Sequence, residues 1–234
     1  MYKRIGIIVA MDKEFSQLER LLTDKQELKG GRCPITVGTM GSLQVALEKC
    51  GIGKVNSTIG AMELIRLFAP DAIISSGCAG GADVSLHVGD VVVAQQCAYH
   101  DAYCGSECQP GQILGMPARF DAPKDLLNAA LQLDGADGTT VRGGLTVSGE
   151  WFVDSRDKMQ AILNVFPDAM AVDMESCSIA QTCHVCKVLF LSFRVISDIP
   201  LLDHKAEMYF DFWDRMADSS FHVTRHLLKV IAEL

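Results

Sequence analysis

No apolar run in the 234 residues approaches the about 20 that a membrane-spanning helix needs. There is no basic stripe either. Asp and Glu outnumber Lys and Arg by 29 to 21, a net charge of −8, which speaks against a nucleic-acid partner. The opening segment reads as a first buried strand, not an export signal. The apolar run after Met1-Tyr2-Lys3-Arg4 spans only Ile5 to Met11, and Asp12, Lys13 and Glu14 end it without a small-residue cleavage pattern. The nine cysteines are odd in number and scattered. They read as reduced thiols of a cytoplasmic protein, many of them small core residues. Familiar catalytic signatures are absent too. No Gly-x-Ser-x-Gly marks an acyl-transfer serine, and no His-rich cluster offers a zinc site. Gly51-Ile52-Gly53-Lys54 has neither dinucleotide nor P-loop spacing, and reads as a tight turn. Cys104, Cys108, Cys183 and Cys186 lack the spacing of a zinc site, so no metal is expected.

What the chain does have is an alternation of apolar, strand-like runs and helical periodicity. Arg4–Ala10, Ala72–Ser76, Gly89–Ala94, Thr139–Val147 and Val188–Ile196 read as buried strands. A hairpin is expected from Ile35–Met40 and Leu43–Lys49. Helices are expected over Phe15–Leu22, Val55–Phe68, Pro123–Leu133, Asp157–Phe166, from Ser176 to about Cys186, and through the tail from Lys205. In that tail Phe210, Trp213, Met216, Phe221, Leu227, Leu228 and Ile231 are expected to pack on the sheet, Phe210 having a pocket within reach. Such alternation predicts one α/β domain over residues 1–234 with a largely parallel sheet between helices. The 102–120 stretch, rich in Gly and Pro, is a long loop of the kind that carries function.

In parallel sheets ligands bind beyond the carboxyl ends of the strands. Five such ends carry chemistry: Glu14; the run Gly77-Cys78-Ala79-Gly80-Gly81, expected as a loop with bare backbone N–H groups; Trp151-Phe152; Asp173-Met174-Glu175; and Arg194 with Ser197-Asp198. Taken singly, Glu14 and the 173–175 acids read as helix-start electrostatics, and the aromatics as core. Together they place several acids, one guanidinium and an aromatic wall at one end of the sheet. That equipment suits cleavage of a glycosidic bond through a cationic sugar. One carboxylic acid protonates the leaving group, a carboxylate activates water, and the anionic field stabilises the positive charge. Cys78 has no activating neighbour in sequence and is not read as a nucleophile.

With these residues in view the chain resembles a known family. Gly6-Ile7-Ile8 with Ala10-Met11 and Glu14, Gly51-Ile52-Gly53-Lys54-Val55, Ser76 to Gly81, Tyr99-His100-Asp101, Val147-Ser148-Gly149, Val172-Asp173-Met174-Glu175 and Arg194-Val195-Ile196-Ser197-Asp198 follow the pattern of the 5′-methylthioadenosine/S-adenosylhomocysteine nucleosidases, in the nucleoside phosphorylase superfamily. The resemblance implies a mixed, barrel-like central sheet flanked by helices, a homodimer, and hydrolysis of an adenine 5′-thioribonucleoside without a cofactor. It implies that Asp198 protonates adenine N7, that Glu14 activates water, and that Glu175 grips the ribose hydroxyls beside the Met174 backbone. It implies that Arg194 helps place water and ribose, with Cys78, Ala79, Gly80, Asp173 and Ser197 at the binding wall. It further implies that Phe152 stacks on adenine while the Val153 backbone reads its polar edge, that Met11, Ile52 and Phe210 line the ribose and 5′ side, and that a partner's 102–117 loop completes that side.

A phosphorylase of this fold needs basic groups for phosphate. The stretch 73–81 carries no arginine, and Glu14 would repel a phosphate dianion, so hydrolysis is favoured. Four features depart from the family pattern: Cys78 where serine is common, Asp173 as the shorter acid, the bulk of Trp151, and the apolar Ile199-Pro200-Leu201-Leu202-Asp203-His204 link. They leave open whether methylthioadenosine, S-adenosylhomocysteine, 5′-deoxyadenosine or an aminofutalosine-like nucleoside is preferred. A phosphorylase and a turnover-free nucleoside sensor are the other readings.

Overall fold

Arg4–Val9, buried on both faces, forms β1, and parallel strands pair with it on either side. The computed structural model describes residues 2–203, 205–216 and 221–234. After β1 come α1 (Asp12–Glu19), β2 (Thr23–Leu28), β3 (Ile35–Met40), β4 (Leu43–Lys49), α2 (Lys54–Phe68) and β5 (Ala72–Gly81). Then follow β6 (Val91–Tyr99), β7 (Phe120–Asp121), α3 (Lys124–Leu131), β8 (Val141–Ser148), α4 (Arg156–Leu163), β9 (Ala169–Asp173), α5 (Ser176–Cys186) and β10 (Leu189–Asp198). The chain ends with α6 (Lys205–Asp211), a π-helical turn (Phe212–Met216) and α7 (His222–Ile231).

Strand β5 organises the sheet. Along its whole length it runs parallel to β10. On its other side the first half pairs with β1, from Ile5 opposite Ala72 to Ile8 opposite Ser75. The last two residues pair instead with β9, Gly80 opposite Val172 and Gly81 opposite Ala171. With β10–β6, β6–β8 and β8–β9 also paired, five strands close into a ring, and β1, β4, β3 and β2 extend from it as an open wing. Between the two partners of β5, residues 76–79 have a ladder only toward β10. That change of neighbour is a topological switch, where a cleft opens at strand ends. One face of the sheet packs on α3 and α7 through residues such as Leu126, Leu227 and Ile231; the other packs on α2 and α5 through Leu64, Phe68 and Ile179.

The structure corrects the sequence reading at several points. Gly77–Gly81 is strand, not loop, and the Cys78 N–H on its unpaired side is taken by Glu14. Gly77 does need its freedom: its φ is +136°, and a Cβ there would lie 2.5 Å from a Glu14 oxygen. Strand β2, Thr-Asp-Lys-Gln-Glu-Leu, has no apolar alternation to reveal it; it is a charged edge strand, a composition that discourages pairing with other chains. The tail is not one continuous helix, for α6 passes into the π turn before α7 begins. His204 and the expected helical stretch Ala217–Ser220 lie outside the described residues.

Candidate active site

The cleft at the β5 switch is filled from four directions. Glu14 enters from the first turn of α1. One carboxylate oxygen accepts the backbone N–H groups of Ala10 and Met11, each at 2.9 Å, and the other accepts that of Cys78 at 2.9 Å. Glu14 is therefore not a solvated first-turn acid: it is 1% exposed and bridges the gap that β1 leaves beside β5. Burial pushes its carboxyl up, against the pull of Arg194 and the three N–H donors.

Glu175 stands at the N-cap position of α5, but its side chain does not cap that helix. It accepts from Gly53 N at 2.9 Å and faces an Arg194 nitrogen at 3.4 Å. Burial pushes it up to about 7, with Arg194 opposing and Asp173 adding to the rise. Asp173 fits the helix-start reading better. Its oxygens accept from Ser148 Oγ, from Ser176 N and Oγ, and from Arg194 Nε at 3.0 Å.

Arg194 comes up the middle of β10 and is 1% exposed. Besides Asp173 and Glu175, its guanidinium donates to Ser75 Oγ at 2.8 Å and, more loosely, to the Ser76 and Cys78 carbonyls. It thus holds carboxylates in place from behind. At the end of β10 the register shifts between Ile196 and Asp198, so Ser197 is the extra residue of a bulge. The bulge brings Asp198 opposite Gly80, and Ser197 Oγ donates to it at 2.8 Å. Asp198 is 3% exposed.

All the binding and catalytic candidates read from the sequence line one cavity except Phe210. Phe210 is 65% exposed and turns its ring edge to Tyr209, and it is Tyr209 that lines the cavity, its hydroxyl 3.9 Å from Met11 Sδ. The start of α6 at Lys205 is as expected from sequence, but adjacent helical residues point about 100° apart, and which of them meets the cavity is set by how the helix docks. Trp151, expected as part of the aromatic wall, lines the cavity too, as do Ala10 and Val172, which the sequence motifs contain but do not single out. The Cys78 thiol lies on the wall, and burial together with Glu14 pushes it well up, so it stays protonated. Among the described residues no group of three or more His, Cys, Asp or Glu is placed to hold a metal ion.

With the geometry in hand, comparison with known proteins is specific. The sequence profile of the phosphorylase superfamily matches residues 4–232. The 5′-methylthioadenosine/S-adenosylhomocysteine nucleosidase of Staphylococcus aureus (strain JH9) is 39% identical over 226 residues, which is 96% of this chain and 98% of that protein. The chain belongs to the 5′-methylthioadenosine/S-adenosylhomocysteine nucleosidase family. Solved members of that nucleosidase family superpose closely. The Colwellia psychrerythraea 34H enzyme in complex with adenine has a TM-score of 0.92 at 29% identity, covering 98% of this chain and 96% of the other. The Neisseria meningitidis nucleosidase with methylthio-immucillin-A has a TM-score of 0.90 at 32% identity, covering 97% and 99%. The mixed sheet, closed into a barrel-like ring and flanked by helices, is the fold of these nucleosidases.

Proposed function

We propose that this chain hydrolyses the N-glycosidic bond of adenine 5′-thioribonucleosides such as 5′-methylthioadenosine and S-adenosylhomocysteine, releasing adenine. The observation that carries the reading is the convergence of Glu14, Glu175 and Asp198, far apart in sequence, on one cavity with an aromatic wall. Asp198 is the acid that protonates the adenine ring as it leaves, and Ser197 orients it. Phe152, half-exposed at the cavity mouth, stacks on the base, and the backbone of Val153 meets its polar edge. Glu175 accepts the ribose hydroxyls, and Met174 adjoins it. Glu14 is the base for water. Of its two oxygens, the one that holds only the Cys78 N–H keeps a lone pair for that water. A buried carboxylate shifted upward is the better proton acceptor near neutral pH. Met11, Ile52 and Tyr209 line the sugar and its 5′ group.

Water rather than phosphate is the nucleophile in this reading. Arg194, the one guanidinium that lines the cavity among the described residues, is surrounded by Asp173, Glu175 and Glu14, so an incoming dianion meets a net negative field. No cofactor takes part, the working unit is a homodimer in which the 102–117 loop completes the partner's 5′ side, and the enzyme acts in the cytoplasm. The test is incubation of purified protein with 5′-methylthioadenosine in phosphate-free buffer containing a chelator, with chromatographic detection of free adenine. Adenine and free methylthioribose support the proposal. Turnover that requires phosphate and yields a sugar phosphate overturns it in favour of a phosphorylase.

A further inference from the structure

The Tyr99-His100-Asp101 run stands out in the sequence, yet none of its side chains lines the cavity. Its environment is nonetheless constructed. Asp101, just past the end of β6, accepts the Lys54 ammonium on both oxygens at 2.9 Å and the backbone N–H of Glu150 at 2.8 Å. Glu150 in turn accepts the backbone N–H of Lys54 at 2.9 Å. The three residues close a ring of hydrogen bonds that joins three loops. Two neighbours of the ring reach the substrate cavity. Gly53, one residue before Lys54, donates its N–H to Glu175. Phe152, two residues after Glu150, is on the aromatic wall.

Packing enforces the same approach. Gly53 has φ +94°, and a Cβ there would fall 2.5 Å from a Glu150 oxygen. A Cβ on Gly149 would fall 2.3 Å from the His100 ring, which also meets the edge of Trp151 with centroids 5.5 Å apart. The Lys54 ammonium sits 5.3 Å from the centre of the Tyr99 ring. Glycines at both contact points let the loops close to a spacing that any side chain would prevent.

We propose that Asp101 is a positioning residue: through Lys54 and Glu150 it locks the loop that serves Glu175 to the loop that carries Phe152, and so sets the distance between the sugar and base subsites. This rests on the assignment of those two subsites above. A ligand that fills both subsites gains from their fixed spacing, because its second contact is made within an already bound molecule. A ligand that fills one subsite gains nothing from it. Asp101 touches no reacting atom, so its effect belongs in the coupling of the two halves of the substrate.

The experiment compares Asp101→Ala and Lys54→Met with the wild-type full chain, using two ligands and one reaction. Binding of adenine alone and of a non-hydrolysable 5′-methylthio nucleoside analogue is measured by calorimetry, and turnover by adenine release. The expected result is an analogue affinity weakened about 10-fold or more, adenine affinity within about 2-fold of wild type, and kcat/KM lowered about 10- to 100-fold. Asp101→Asn, which keeps an acceptor oxygen, is expected to recover part of the loss. Equal weakening of both ligands overturns the proposal, since a general loss of structure does that. No change in either ligand overturns it as well. If Asp101→Ala does not fold, Lys54→Met alone decides, because it removes the ammonium that Asp101 holds and leaves the Glu150 N–H in place. A wild-type protein that binds the analogue but releases no adenine from methylthioadenosine refutes the hydrolytic reading while leaving the coupling measurable.

Discussion

Among the carboxylates this molecule buries, those around Arg194 and the one under α2 stand in opposite settings. Around Arg194, Glu14, Asp173 and Glu175 share one guanidinium, backbone N–H groups and serine hydroxyls, and all three line the cavity. Under α2, Glu48 of β4 is equally enclosed, at 1% exposure, but one of its oxygens has no hydrogen-bond partner. Burial pushes Glu48 up to about 8, Glu63 nearby adds to the rise, and Arg32 only partly offsets it. Glu48 is thus a neutral acid packed against Gly60, where a Cβ would lie 2.9 Å from its oxygen. Glu48 does not line the cavity that the Arg194 group faces. Burial of an acid therefore does not identify chemistry. A counter-charge held from behind and an open space in front do.

The sharpest way to break this contrast is at Asp198 and Glu14. Asp198→Asn and Glu14→Gln are each expected to lower kcat for adenine release by about 10²–10⁴-fold. Glu48→Gln is expected to leave the rate within about 2-fold, since it touches neither substrate nor water. A wild-type rate in either site variant would erase the distinction. Next in size is the guanidinium. Arg194→Met leaves two buried carboxylates without their partner, and urea unfolding should report a loss of about 3–5 kcal/mol. An unchanged midpoint would mean that the carboxylates neutralise by protonation at no cost.

Glu175→Gln is expected to lower kcat/KM by about 10- to 100-fold, with KM for the nucleoside rising and adenine binding little changed. The smallest effect belongs to Glu48 itself. Its folded-state pKa, about 8, lies above the ordinary 4.5. Its contribution to stability is complete below about pH 4.5 and is lost as pH rises through about 8. Glu48→Gln cannot ionise. Thermal melts should find it level with wild type at pH 5 and ahead by roughly 1–3 kcal/mol at pH 8. A difference that does not depend on pH would show that Glu48 does not titrate in this range.

Much of the site was legible before the structure because strand ends and turns have local signals. Val172-Asp173-Met174-Glu175 and Arg194 to Asp198 read as apolar strands ending in charge, and the structure puts those ends on one cavity. Phe210 lies outside the cavity and Tyr209 inside it, because the docking of α6 on the sheet, which the helix start at Lys205 does not fix, chooses between neighbours on one helix. Gly77–Gly81 looked like a loop because glycine is rare in strands. Here it continues β5 so that Glu14 and Arg194 can approach the backbone. Glu48 gave no warning, since an acid at a strand's end normally faces water.

The residue pattern alone determined most of the strands and helices, though not β2 or the end of β5, and it determined which ends carry acids and which family the chain resembles. It did so because periodicity, turn residues and motif order are local properties of the chain. Only the tertiary structure decided that β5 changes partner between β1 and β9, that three of the acids share Arg194, and that Tyr209 faces the cavity in place of Phe210. Those outcomes depend on which strands become neighbours and how closely they approach. Both are set by contacts between residues more than a hundred positions apart, such as Gly53 with Glu175 and Ser75 with Arg194.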